Sequence, residues 1–156
     1  MIAAQILHLA RTQSLHITTA ESCTGGLVAA ALTEIPGSSD VFDRGFVTYS
    51  NAAKIDMLGI TPQTLTEHGA VSEEIASEMA KGALSHSAAQ LAVSITGIAG
   101  PGGSEFKPEG RVCFGLAQSG QPTKTHTIEF GPLGRSAVRT AALDHALTLL
   151  LAALTK

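Results

Sequence analysis

Tryptophan is absent from this 156-residue sequence, and one tyrosine and five phenylalanines make up an aromatic content of only 4%. A platform for stacking single-stranded nucleic acid needs more exposed rings than that. Runs of lysine or arginine are also missing, and the formal charge is -3. Both absences argue against a protein that grips a nucleic-acid backbone. Two cysteines, Cys23 and Cys113, provide neither a disulfide framework nor a zinc-ligand spacing. No His/Cys/carboxylate cluster offers a metal site, so neither a metal nor a cofactor is expected. The opening "MIAAQILHLARTQS" lacks the basic start of a secretory signal, and its apolar positions recur at helical spacing. The apolar "ALDHALTLLLAALTK" is interrupted by Asp144 and His145 and reads as a buried helix rather than a membrane span. The expectation is a cytoplasmic protein with no membrane partner. The same apolar last helix makes a homodimer the expected assembly.

What is present is core-forming. Hydrophobic residues reach 44% and charged residues only 15%, a globular composition. No repeat, low-complexity tract or charged linker interrupts the chain, so one domain over residues 1–156 is expected. Helix and strand patterns alternate. A helix is read over about 2–13, a strand over 16–20 and a helix over 23–34. A strand follows at 43–50 and a helix at 51–58, ending at Gly59. Pro62 suits the first turn of a short helix. Ser72, followed by Glu73 and Glu74, reads as the cap of another. "QLAVSITG" is a strand, and "RVCFGLAQ" and "KTHTIEF" form an antiparallel hairpin. The last helix runs from about 134 to the end. This pattern predicts an α/β fold, a three-layer α/β/α sandwich with a mixed, mostly parallel sheet and a C-terminal β-hairpin. In such folds ligands bind at the carboxyl ends of strands. The loops after "HITTA", "FVTYS" and "AVSITG" are therefore read together.

The first loop, "TTAESCTGG", sets Ser22, Cys23 and Thr24 before Gly25 and Gly26. A serine ahead of a helix is most often a plain cap. Here it stands at a strand end, with a helix start behind it that offers N–H groups and a positive dipole end. The two glycines each lower helix propensity by roughly 1 kcal/mol and let a ligand approach the backbone. A serine nucleophile needs a base. The G-x-S-x-G elbow is absent, and none of His8, His16, His68, His86, His126 and His145 lies in the three loops. Lys54 follows the second loop, with Tyr49 five residues before it. Its bland reading is a solvated surface charge; its functional reading is a partly buried amine. A free amine titrates near ~10.4 and a useful base nearer ~7–8, a difference of roughly 4 kcal/mol. Burial and a hydrogen-bond partner such as Tyr49 supply such a shift. Cys23 competes with Ser22, because a thiol at a helix start is a strong nucleophile; its bland reading is a small core residue. Cys113 fits only the bland reading. In the glycine-rich "SITGIAGPGGS", Thr96 and Gly97 offer a hydroxyl and an N–H to a ligand, and Arg135 offers a cation to an anion, with Arg139 one turn further along. The loop lacks the lysine of a P-loop and reads equally as a flexible turn.

"TAESCTGG", "GSSDVFDRGFVTYSNAAKIDMLGI", "GAVSEEIASEMAKGAL" and "SITGIAGPGG" together closely resemble the CinA C-terminal-domain family, over about residues 5–154. The resemblance implies an amidohydrolase that converts nicotinamide mononucleotide to nicotinate mononucleotide and ammonia, in pyridine-nucleotide salvage. It implies Ser22 as nucleophile, Lys54 as base and Tyr49 as assistant. Backbone N–H groups over Cys23, Thr24 and Gly25 would meet the oxyanion, and Thr96, Gly97 and Arg135 the ribose phosphate. Longer family members carry an N-terminal domain linked to nucleotide pyrophosphatase activity, which this chain is expected to lack. Two alternatives stay open: a nucleotide-binding or regulatory module associated with competence or DNA damage, and a cysteine-dependent amidase using Cys23.

Overall fold

The computed structural model describes residues 1–104 and 106–155. In chain order its elements are α1 (Ile2–Thr12), β1 (Ile17–Glu21), α2 (Leu27–Thr33), a 3-10 turn (Ser38–Asp40), β2 (Phe42–Val47), α3 (Asn51–Leu58), α4 (Pro62–His68), α5 (Glu73–Ser85), β3 (Leu91–Gly97), β4 (Arg111–Gln118), β5 (Lys124–Glu129) and α6 (Arg135–Leu154). Among the described residues the strands form one five-stranded sheet in the order β2-β1-β3-β4-β5. β1 is parallel to β2 and β3, while β4 is antiparallel to β3 and β5. Every strand except β4 therefore runs the same way. The α/β sandwich with its closing hairpin is the architecture that the alternating pattern predicts.

Strand alternation builds the two faces. Along β3, Leu91, Val93 and Ile95 join a core with α1, α2 and α6. Ala92 between them joins a second core with Leu58 of α3 and Ile75, Met79 and Ala83 of α5. α6 buries Val138, Ala142, Ala146, Leu147, Leu150 and Leu154 along one stripe. At 20 residues, with an 18-residue window of mean hydropathy 1.4, it is long and apolar enough to cross a membrane, and 33% of that window is buried here. The buried helix read from the sequence is thus buried along one stripe only. The helix read to the end of the chain stops at Leu154 with Thr155 as its cap, and residue 156 lies outside the described residues.

Two boundaries differ from the sequence reading. The strand read over 43–50 ends at Val47, because Ser50 turns away to cap α3, its side chain accepting from Ala53 N–H at 3.0 Å. The helix read from residue 23 begins at Leu27. Gly25 (φ 58°) and Gly26 (φ 105°) lie in the left-handed region, which a helix cannot continue through. Residues 22–26 are instead a tight turn, with Gly25 N–H donating to Ser22 O at 3.0 Å.

The helix start is not open either. Alternation along β1 sends the fully buried Glu21 to the α2 face. Its Oε1 accepts from Gly26 N–H (3.2 Å) and Val28 N–H (3.0 Å), and its Oε2 from Ala29 N–H (3.0 Å). Three of the amides left without helical partners are satisfied by one side chain. Glu21→Gln would set an –NH2 group against these donors. The expected outcome is a loss of about 1–3 kcal/mol, read as a lower midpoint in urea unfolding; an unchanged midpoint would remove this role from Glu21.

Candidate active site

Ser22 directly follows the last residue of β1 and, still in extended register, faces the opposite side of the sheet from Glu21. Its N–H donates to Ile95 O at 2.9 Å, which continues the β1–β3 pairing and sets it beside Thr96. Both hydroxyls thus stand at the carboxyl ends of adjacent parallel strands, on the face covered by α3 and α5. Lys54 arrives from α3. It shares the buried stripe of that helix with Leu58, four residues on, and only 1% of it is exposed. Its Nζ donates to Ser22 Oγ at 3.2 Å and to Thr48 O at 2.9 Å. The two residues singled out 32 positions apart meet through the fold.

These groups floor a cavity of about 360 Å³, lined by all three strand-end loops. A small-molecule site of ordinary size begins near this volume. Ser22, Cys23, Tyr49, Lys54, Thr96, Gly97 and Arg135 line it, whereas Thr24 and Gly25 lie outside its lining. Thr24 is fully buried. Among the described residues no histidine lines the cavity. His126 and His145 instead face each other, Nε2 to Nε2 at 2.6 Å, against Phe114.

Tyr49 is 59% exposed at the rim. Its hydroxyl accepts from Arg135 Nη2, while Arg135 Nη1 donates to Gly100 O at 2.8 Å. Arg135 therefore links the second loop to the third across the mouth. Arg139 turns elsewhere, donating from Nε to Cys23 O at 3.0 Å and from Nη2 to Thr24 O at 3.4 Å. Arg135 thus lines the cavity, and Arg139, one turn further along, does not.

The glycine-rich loop is tied at several points. Glu109 accepts from Gly102 N–H at 2.7 Å and from Gly134 N–H at 3.4 Å, at the start of α6. Lys107 Nζ donates to His68 O and Val71 O, both at 2.6 Å. Thr96 Oγ1 donates to Ala70 O at 2.7 Å. A Cβ on Gly97 would stand 2.8 Å from Val112 and 3.0 Å from Cys23 Sγ. Glycine here lets β3 and the Ser22 turn pack together.

The CinA C-terminal domain family matches residues 1–154. The chain belongs to that family. It is 49% identical to the nicotinamide-nucleotide amidohydrolase PncC of Escherichia coli K12 over 150 residues, which cover 96% of this chain and 90% of that one. It is 60% identical to a CinA-like protein of Chloroherpeton thalassium over 112 residues, 71% of this chain and 27% of the relative. The chain thus matches only about a quarter to a third of the length of such longer family members. Among solved structures, the competence/damage inducible protein CihA of Agrobacterium tumefaciens superposes with a TM-score of 0.95 at 49% identity, covering 99% of this chain and 94% of that one.

Within this family fold, three partners escaped the sequence reading. Glu21 was hidden because an acid at the end of a strand gives no periodic signal. The Thr48 carbonyl that receives Lys54 is backbone and has no signature at all. Glu109 looks like a surface charge until the loop it holds is in place; Arg139, named from the sequence beside Arg135, holds the Ser22 turn. A signal for Lys54 did exist in its i,i+4 spacing from Leu58.

Burial, above all, pushes the Cys23 thiol up to about 11, with Glu21 adding to the rise and its own N–H, Arg139 and Lys54 opposing it. Its ordinary value is 9.0, so the folded chain holds this proton more tightly than the unfolded chain. The resulting stability is full below about pH 9 and is lost as pH rises towards 11. The expected outcome is slow alkylation of Cys23 by iodoacetamide at neutral pH, rising towards pH 11 while the fold persists. Mass spectrometry of the labelled peptide measures it; rapid labelling at neutral pH would show an activated thiol.

Proposed function

We propose that this chain, as one amidohydrolase domain over residues 1–156, hydrolyses the carboxamide of nicotinamide mononucleotide by a serine–lysine mechanism. The observation that carries the reading is the Lys54 amine, withdrawn from water and 3.2 Å from Ser22 Oγ on the floor of the cavity. Removing an ammonium from water disfavours its charge, and a neutral amine at this contact accepts the hydroxyl proton. Oγ then bonds to the amide carbon, and the carbonyl electron pair moves onto oxygen. The amide of Cys23 is the donor best placed for that oxyanion, since Gly25 N–H is already given to Ser22 O. Such a donor is typically worth about 3 kcal/mol. The protonated Lys54 returns its proton to the leaving nitrogen as the C–N bond breaks and ammonia departs. Water, deprotonated by the same amine, then cleaves the acyl ester. Arg135 at the mouth is a fork for the phosphate, with Tyr49 orienting it, and Thr96 and Gly97 line the nucleotide side. The relatives named as nicotinamide-nucleotide amidohydrolases support this substrate. A cytoplasmic homodimer serving pyridine-nucleotide salvage is the setting that goes with it.

The raised thiol of Cys23 weighs against the cysteine reading. Ammonia release from nicotinamide mononucleotide tests the proposal. Ser22→Ala and Lys54→Met are expected to lose about 10²–10⁴-fold in kcat, while Cys23→Ala retains activity. Loss only in Cys23→Ala would move the nucleophile by one residue. A silent wild type that still binds the nucleotide in calorimetry would turn the reading to a binding module.

Arg135→Met is expected to raise KM for the nucleotide by about 10–100-fold, the range of one charge-assisted phosphate contact. The riboside, which has no phosphate, should be hydrolysed equally by both forms. An equal KM rise for the two would place Arg135 away from the phosphate.

A further inference from the structure

The side chain of Arg139 reaches the Ser22 turn from behind, outside the lining of the cavity. Its Nε–H and Nη2–H, one edge of a rigid fork, donate to two consecutive carbonyls, Cys23 O and Thr24 O. Peptide units are planar and trans, so each C=O points opposite to the N–H that follows it. Holding Thr24 O towards Arg139 therefore aims Gly25 N–H the other way, where it donates to Ser22 O at 3.0 Å. Fixing Ser22 O in turn fixes Cys23 N–H on the opposite side of the same planar peptide, away from the turn interior, in a residue that lines the cavity. Two planar peptides and one hydrogen bond connect the guanidinium to the amide that follows the nucleophile. Gly25 fits this arrangement: its φ is 58°, and a Cβ there would stand 3.3 Å from Arg139 Nη2.

We propose that Arg139 is a positioning residue that holds the peptide after Ser22 in the orientation required to stabilise an oxyanion. This rests on Ser22 as the nucleophile. Within the turn, Gly25 N–H donates to Ser22 O and Leu27 N–H to Thr24 O, both at 3.0 Å; Arg139 adds a second donor to Thr24 O and ties the Cys23 carbonyl between them to α6. A lysine keeps the charge, but its donors share one nitrogen on a flexible stem and do not reproduce the fixed spacing and direction of the Nε–H and Nη2–H edge. The role thus predicts a defect in turnover and not in substrate capture.

Steady-state kinetics on nicotinamide mononucleotide with Arg139→Ala and Arg139→Lys are the test, with thermal midpoints and circular dichroism recorded beside them. The expected result is a drop in kcat of about 10–100-fold, below the full loss of an oxyanion donor, with KM unchanged. Ethylguanidinium added to Arg139→Ala restores part of kcat. If Arg139→Ala does not fold, Arg139→Lys, which keeps the stem and the charge, carries the comparison. A KM rise with kcat unchanged, or no change in either, overturns the proposal. A fluorophosphonate supplies a second readout that does not depend on the substrate. Ser22 Oγ bonds to phosphorus, fluoride leaves, and Lys54 takes the proton. If the wild type ignores the nucleotide but its Ser22 is phosphonylated faster than that of Arg139→Lys, the positioning role stands and the substrate reading falls. A wild type inert to both reagents overturns the two together.

Discussion

The amine of Lys54 lies out of water between a serine hydroxyl and a backbone carbonyl, at 3.2 Å and 2.9 Å. A charged or chargeable group in such a place is unfavourable unless its surroundings are built for it. Several otherwise unrelated features follow from that need. β2 stops at Val47 so that Thr48 O is free to receive the amine. Ser50 starts a new helix at once, which points Lys54 inward together with Leu58. β1 ends one residue before Ser22, so the hydroxyl leaves the sheet on the lysine side. The geometry is shared among them.

Adjacent residues on one strand divide two tasks. Glu21 turns to α2 and closes the helix start; Ser22 turns to α3 and meets Lys54. The positive end of α2 is therefore neutralised by the protein itself and is not the anion site that a strand-to-helix turn usually offers. Oxyanion stabilisation at Ser22 has to come from the individually oriented amides of the turn. That makes the hold on those amides, rather than a helix dipole, the property of interest.

Much of this was readable before any coordinates. "LAVSITG" and "RVCFGLAQ" were legible as strands because they are buried on both faces and so read as near-continuous apolar runs, while "KTHTIE", exposed or half-buried throughout, was legible as the partner strand of a hairpin. The strand-end rule brought Ser22, Lys54, Tyr49, Thr96 and Arg135 into one region. The failures have a common cause. The start of α2 was misplaced because glycine propensity alone does not reveal a positive φ, and Glu21 was overlooked because its partners are backbone amides. Tyr49 was expected beside Lys54; its observed hydroxyl contact is with Arg135, which begins α6 86 positions later. Contacts to backbone, and contacts between distant loops, leave no mark on residue type.

The single reversed strand has a consequence for the whole design. β3 carries the chain up to the cavity and β4 carries it away, so that a helix placed directly after β4 would start at the far end of the sheet. β5 runs the chain back up. Only then does α6 begin, with Arg135 and Arg139 in its first two turns. The hairpin is thus a matter of parity. It adds two edgeward strands and so returns the chain to the end from which it departed. An even number of added strands preserves that return and an odd number abolishes it. Loss of either strand would deliver both guanidinium groups to the opposite rim of the molecule.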